Sequence, residues 1–259
     1  MLINLESSST SQTTHNFVVN FSSFELEPDT EYEIGLIQSS IWYSWYNISS
    51  AFGNNQLRYS PDGGANFYNV NFDDGIYSVS AINQKLQSVM KANNHYSVVN
   101  GIDTFNISIT PNYTSGKVGV EVSNNYQLDF TTSTLRDLLG FTSLVVSTTQ
   151  EGTYLADITR GVNQIQIHCS LAEGSYSNSE ASDILYAFVP NSSPSTLINI
   201  QPTFPVYVPI NTRNNIQSIR MRITDQQQRI LDLNGEQVSY LMELRKRKYV
   251  SEEEKDEFV

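Results

Sequence analysis

The chain has 259 residues, enough for one large β domain or two small ones, and long enough to bury a core without disulfide or metal staples. Its 27 acidic and 15 basic residues give a formal net charge of −12, which excludes a surface built throughout as a nucleic-acid platform, because such a surface needs Lys and Arg to release counterions. A single cysteine, Cys169, excludes an intrachain disulfide, and no apolar run approaches the ~20 residues of a membrane-spanning helix.

The opening MLINLESSST lacks the basic stretch and apolar core of a secretory signal, so synthesis in a reducing compartment is expected. The N-x-[ST] triplets at Asn20, Asn47, Asn106, Asn112 and Asn191 are then chance matches in an Asn-, Ser- and Thr-rich chain. Residues 1–14 end in a Ser/Thr/Gln run and are expected to be a flexible arm. Phe17, Val19 and Phe21 alternate and begin a first strand; Glu31 to Ile41 makes the next, with Tyr32, Ile34 and Leu36 on one face. Trp42, Tyr43, Trp45 and Tyr46 follow at once. Such a cluster is either a glycan or partner surface or a core corner closed by large rings. Leu57 and Tyr59 lead into the turn Pro61-Asp62-Gly63-Gly64, and Phe67, Val70 and Phe72 form another strand.

The period then changes. Val79, Ile82, Leu86, Val89 and Met90 fall at helical spacing, which predicts an amphipathic helix from about Ser80 to Lys91, capped by Ser78 or Ser80 and ended by Asn93-Asn94. Tyr96–Val99 and Phe105–Ile109 return to a period of two, with Asn100-Gly101 as a hairpin turn between them. Strands follow at Val118–Val122 and Tyr126–Phe130. STLRDLLGF then predicts a short helix that buries Leu135, Leu138 and Leu139 and places Gly140 just after its last residue. Leu144–Val146, Tyr154–Ile158, Val162–Cys169 and Ile184–Val189 are predicted strands, and Glu173–Glu180 a polar surface loop. Leu197–Ile200 and Val206–Ile210 flank Pro202 and Pro205, which points to edge positions or bends.

In the closing stretch, Ile219, Met221 and Ile223 alternate with Arg220, Arg222 and Thr224. A polar turn leads to a short strand at Ile230–Leu233, Asn234-Gly235 breaks it, and Val238, Tyr240, Met242 and Leu244 alternate again. Arg245–Lys248 and SEEEKDEFV form a basic and then an acidic run, so residues 249–259 are expected to be a solvated acidic tail. About a dozen strands and two helices predict an all-β fold: a single jelly-roll β-sandwich with extra hairpins and two short helices over residues 15–248.

The sequence supplies no catalytic set and no cofactor or metal site. His15, His95 and His168 stand far apart, outside any H-E-x-x-H or H-x-H setting. His168 is expected to be a half-buried strand residue, and its neighbour Cys169 a core thiol. Adjacent strand residues point to opposite faces, so the two cannot readily pair as a thiol enzyme. Asp62, Asp73 and Asp74 are expected to be turn acids rather than calcium ligands. Arg213, Arg220 and Arg222 are expected to be wet-face charges, and nothing argues that Asp225 and Asp232 converge. Phosphate loops, G-x-S-x-G elbows and CxxC pairs do not occur.

The ordered series HNFVVNF, EYEIGLIQSSIWYSWYNIS, DDGIYSVSAINQKL, TLRDLLGF, IQIHCSL with SDILYAF, and IRMRITDQQQRILDLNGEQVSYLMELRKRK resembles the minor capsid, or penton, proteins of Polinton/Maverick elements and their virophage relatives, from about Phe17 to Lys248. The resemblance implies a non-enzymatic virion protein: a single jelly roll forming homopentamers at the fivefold vertices, where it contacts the double-jelly-roll major capsid protein. It also implies synthesis in the host cytoplasm or nucleus. The acidic tail departs from the basic end that would face packaged DNA, so direct nucleic-acid contact is not expected. A ring closes by head-to-tail contacts between two complementary surfaces, aromatic-rich in their core. On this reading some of Trp42, Tyr43, Trp45 and Tyr46 lie at or near a subunit contact, and the 1–14 arm anchors the subunit under neighbouring capsomers. The alternatives are a carbohydrate- or receptor-binding β-sandwich, marked by a wet groove of aromatics with Asn and Asp; an enzyme on a jelly-roll scaffold, against which the scattered histidines argue; and part of a major capsid protein.

Overall fold

Ile3 and Leu5, near one end of the sequence, lie in register with Met242 and Tyr240, near the other. This pairing closes the first of two compact units in a computed structural model, which describes residues 1–7, 13, 15–22, 24–212 and 214–247. Unit 1 comprises residues 1–45 and 162–259, and unit 2 residues 46–161. Unit 1 begins with β1 (Leu2–Glu6), β2 (Asn16–Asn20) and β3 (Tyr32–Trp42). The chain then builds unit 2 from β4 (Gln56–Ser60), β5 (Tyr68–Asn71), α1 (Val79–Ala92), β6 (Ser97–Val99), β7 (Ile102–Thr104), β8 (Ile107–Asn112), β9 (Lys117–Val122), β10 (Gln127–Asp129), α2 (Leu135–Leu139), β11 (Val145–Val146) and β12 (Gln150–Glu151). It returns to unit 1 with β13 (Ile165–Cys169), β14 (Ser175–Ser177), β15 (Glu180–Ser182), β16 (Ile184–Phe188), β17 (Leu197–Ile200), β18 (Tyr207–Pro209), β19 (Ser218–Asp225) and β20 (Ser239–Lys246).

Unit 1 is a jelly-roll-like sandwich. One antiparallel sheet runs β1–β20–β3–β17, with β18 also paired to β3; the other runs β16–β13–β19–β2. The period of two explains why these segments pair face to face. Ile34, Leu36, Tyr240, Met242 and Leu244 from the first sheet meet Phe17, Ile165, Ile167, Cys169, Ile219, Met221 and Ile223 from the second in one core.

Unit 2 has a core of its own. Its sheets run β11–β10–β4–β5 and β12–β9–β8, with β6–β7 as a separate hairpin. Helix α1 packs on β8 and buries Val79, Ile82, Leu86 and Met90, one face at spacings of three and four. Ser78 caps it by accepting the Ala81 amide at 3.1 Å. The side chain of Asn47 joins the two ends of the unit: it donates to the carbonyls of Tyr77 (2.8 Å) and Ile158 (2.9 Å) and accepts the Tyr77 amide (2.8 Å). Buried backbone groups at the unit's mouth are satisfied in this way.

The all-β, jelly-roll-like class with two short helices is as expected; residues 46–161 form a second compact unit, and extra hairpins occur in both units, β6–β7 in unit 2 and β14–β15 in unit 1. Four local expectations are corrected. Leu2–Glu6 is not part of a flexible arm, because Ile3 and Leu5 supply a buried face and the whole segment ladders onto β20. Residues 8–12 and 14 of that arm, Arg213, and the tail 249–259 lie outside the described residues. Tyr154–Ile158 is not a strand but a loop in which the amides of Tyr154, Ala156 and Asp157 donate to the carbonyls of Gly140, Gly116 and Leu138. Ile230–Leu233 makes only an isolated bridge between Ile230 and Thr224, with the Leu231 amide donating to Ile223 (3.1 Å), and the side chains of Leu231 and Leu233 are buried in the unit 1 core. Glu173–Glu180 is not a plain loop: it contains β14 and the turn Asn178-Ser179, both at positive φ, which returns the chain into β15.

Candidate interaction surface

The exposed edge of the first sheet in unit 1 begins at a register fault. Along β3 and β20, Leu241 opposes Gln38 and Met242 opposes Leu36, so Ile37 is an extra residue and β3 bulges there. A bulge bends its strand and sharpens the local twist. On the other side of β3 the partner splits at the same place. Strand β17 pairs with Ser39–Trp42 and β18 with Glu33–Gly35, and residues 201–206 connect them. That connection is QPTFPV. Pro202 and Pro205 restrict its backbone and cannot donate to a ladder, so strand addition is blocked and contact must come through side chains. Phe204, held between the prolines, is 85% exposed, and Val206 is also exposed.

Trp42 and Leu197 extend this apolar edge. They are cross-strand partners on the outward face, and Trp42 is 37% exposed. At the other end of β3, beyond the bulge, Tyr207 lies over Gly35, where a Cβ would come within 2.9 Å of its ring, while the Arg245 guanidinium sits 3.4 Å from the ring centroid on a hydrogen bond to Glu33 of 2.6 Å. The hydroxyl of Tyr207 donates to Glu243. The rest of the aromatic cluster divides. Tyr43 and Trp45 turn inward and stack at 3.9 Å as part of the unit 1 core, whereas Tyr46, the first residue of unit 2, is half-buried. The cluster is therefore partly a core corner and partly exposed surface. Phe204, Val206 and Leu197 were not singled out from the sequence; the available signal was an aromatic residue between two prolines.

Unit 2 carries a second rigid apolar surface. In the loop after β12, the amides of Gly152, Tyr154, Ala156 and Asp157 donate to the carbonyls of Val118, Gly140, Gly116 and Leu138. The backbone is fixed while the side chains of Tyr154 and Leu155 stand exposed. Ordering is already complete there, so binding a partner would cost less entropy.

The polar candidates fall into separate structural settings. His168 is fully buried rather than half-buried, because Asp183, Thr224 and Gln166 with its partner Gln228 cover the outward face of β13. Its Nδ1 lies 2.7 Å from Asp183 and its Nε2 2.9 Å from Thr224; Arg222 Nη2 reaches Asp183 at 2.8 Å. Arg222 is thus an ion-pair partner rather than a wet-face charge, while Arg220 is exposed. Desolvation works against the Asp183 carboxylate, but the hydrogen bonds from His168 and Arg222 outweigh it and hold its pKa well below the usual carboxylate range. Cys169 points into the core, and burial pushes its thiol up to about 11, the opposite of what a nucleophile needs.

His15 lies 3.4 Å from Asp232, whereas buried Asp225 is held by Arg229 and by two amides of its own turn, so the two aspartates serve different partners. In unit 2, His95 contacts the Tyr59 hydroxyl at 2.9 Å. Asp74 accepts hydrogen bonds from Ser49 and Ser50, and Asp62 from Ser60 and Asn66. The Asn66 bonds, side chain first, bring Asp62 down to about 2. Buried Asp129 is also lowered: desolvation opposes this, but the Thr131 amide and hydroxyl and Arg58 prevail. Among the described residues no three His, Cys, Asp or Glu side chains come together as a metal site.

The depressed carboxyls set a direction for acid stability. A carboxyl with a lowered folded pKa contributes stability that is complete above its unfolded value of about 3.9 and is lost as the pH falls toward the folded value. The melting temperature is expected to fall progressively as the pH is lowered from about 4 to 2. An acid limb with the same slope in Asp183→Asn would remove Asp183 from that account.

No family model matches the sequence, and no curated protein matches it. Among solved structures, the crystal structure of the mavirus penton protein aligns over 95% of this chain and 99% of its own, with a TM-score of 0.50 at 12% identity. At that identity the shared property is the fold, and the all-β, jelly-roll-like architecture of this chain is similar to that of a penton protein across nearly its whole length.

Proposed function

We propose that this chain is a structural virion protein of the penton type, a minor capsid protein that forms homopentamers at the fivefold vertices and contacts the major capsid protein. The observation that carries this reading is the likeness in fold to mavirus penton protein over 95% of the chain. The surfaces are consistent with it. A vertex subunit needs rigid flanks that complement a neighbour head to tail, plus a further surface for a different protein. In this reading the proline-held edge of unit 1, with Phe204, Trp42 and Leu197, meets the next copy of the chain, and the pinned Tyr154–Leu155 loop of unit 2 meets the major capsid protein. The sequence resemblance adds Polinton/Maverick elements as the source class and the virion as the location, and the protein performs no catalysis.

Native mass and negative-stain images of the purified chain test the proposal, with a fivefold ring as the expected result. Burying a Phe side chain is worth roughly 1.5–3 kcal/mol. Phe204→Ser combined with Trp42→Ser is therefore expected to leave monomers at concentrations where the parent chain is a ring. Tyr154→Ser with Leu155→Ser is expected to leave the ring intact and abolish co-assembly with the major capsid protein. A parent chain that stays monomeric when co-expressed with the major capsid protein would refute the vertex role.

A further inference from the structure

The hairpin β14–β15 and residues 172–174 help to line an open cleft of about 820 Å³ in unit 1, with Asp183 and Arg222 among its lining residues. That volume lies within the range of small-molecule sites. Seven planar polar side chains dominate its chemistry: Asn178, Asn211, Gln228, Asp183, Arg222, Glu173 and Glu180. Four of them are held in place. Asp183 is fixed by His168 and Arg222, Arg222 by Asp183, Gln228 by bonds to Gln166 (2.7 Å) and Ser177 (3.2 Å), and Asn211 by donating to the Ser170 carbonyl (2.9 Å). Planar amides, carboxylates and guanidinium groups offer donors and acceptors in pairs, which suits the adjacent hydroxyls of a sugar ring. Tyr176, 72% exposed, alternates along β14 with the lining residue Ser177, so its ring stands on the face of the hairpin turned away from the cleft and the recognition chemistry belongs to the polar side chains.

The charge balance narrows the ligand further. The lining has three carboxylates, Glu173, Glu180 and Asp183, against one guanidinium, Arg222, which Asp183 already neutralises. Glu173 and Glu180 are exposed and would repel a second anion. We propose that this cleft binds a neutral saccharide and rejects acidic ones. The site lies wholly within unit 1 and does not depend on ring assembly, so it stands or falls separately from the vertex reading.

The test applies the full chain to an array of neutral, sialylated and uronic-acid saccharides and measures each hit by titration calorimetry. Neutral saccharides are expected to bind, and acidic ones are not. Glu173→Ala and Glu180→Ala alter exposed lining side chains, so both are expected to keep the parent melting temperature while weakening binding at least tenfold. The proposal is overturned if no neutral saccharide binds, if acidic saccharides are preferred, or if both variants bind like the parent. It is also overturned if a cationic probe, spermine, binds more tightly than any sugar, because the carboxylates would then be selecting for positive charge.

Discussion

Gly140→Ala is expected to destabilise the protein by about 3 kcal/mol and to lower the melting transition of unit 2 by on the order of 10 °C. Two separate costs combine. Gly140 ends α2 at φ +79°, where an L-residue with a Cβ costs about 1–2 kcal/mol. An added Cβ would also lie 2.3 Å from the carbonyl oxygen of Tyr154 and 3.0 Å from that of Leu155, which is backbone that cannot rotate away. The loop would have to retreat, and with it the bonds from the Tyr154 amide to Gly140 (2.9 Å) and from the Asp157 amide to Leu138 (2.9 Å). Each such bond contributes about 0.5–1.5 kcal/mol net. Gly101→Ala is the matched control. Gly101 has the same φ of +79° but nothing within 4 Å of its Cβ position, so only the conformational cost applies. Equal losses in the two variants would show that the close approach to Tyr154 contributes nothing. The same substitution reports on function, because a displaced loop also displaces Tyr154 and Leu155.

Asp183→Ala is the second large effect, expected to cost about 2–4 kcal/mol. The aspartate is itself only partly buried, with 32% of its side chain exposed, but it satisfies His168, which is fully buried. Removing it takes the carboxylate from both the His168 Nδ1 and the Arg222 Nη2, which are left 3.2 Å from each other, and water can reach Arg222 more readily than His168. Most of the loss therefore comes from the histidine. Urea denaturation should show a lower midpoint with an unchanged slope, since the surface exposed on unfolding is the same. Asp183→Asn keeps an acceptor for His168 and is expected to lose about half as much. A loss below about 1 kcal/mol in the alanine variant would mean that solvent replaces the carboxylate and that the cluster is not a structural anchor.

The sequence by itself determined whatever depends on a local period or a local backbone conformation. The alternation from Ile219 to Ile223 and from Val238 to Leu244 specified β19 and β20 and the faces they bury. Helical spacing placed α1 to within a residue at each end, and Gly140 sits where a left-handed residue must end α2. The absence of a signal for chemistry was equally local, because Cys169 and His168 alternate on one strand and their side chains point to opposite faces.

Tertiary structure alone decided which segments separated by long stretches of chain meet. Period does not reveal that Leu2–Glu6 pairs with the far end of the chain, because five alternating residues become a strand only when β20 offers its edge. Nor does it reveal that residues 46–161 have their own core, since a buried face looks the same whichever core it joins. The apolar edge depends on a bulge at Ile37 that splits its partner strand, and a bulge is a fault in pairing between two strands that neither one encodes alone. The Asp183–His168–Arg222 cluster and the cleft beside it depend on three strands whose order is set by core burial, and so they were legible only once the sheet had formed.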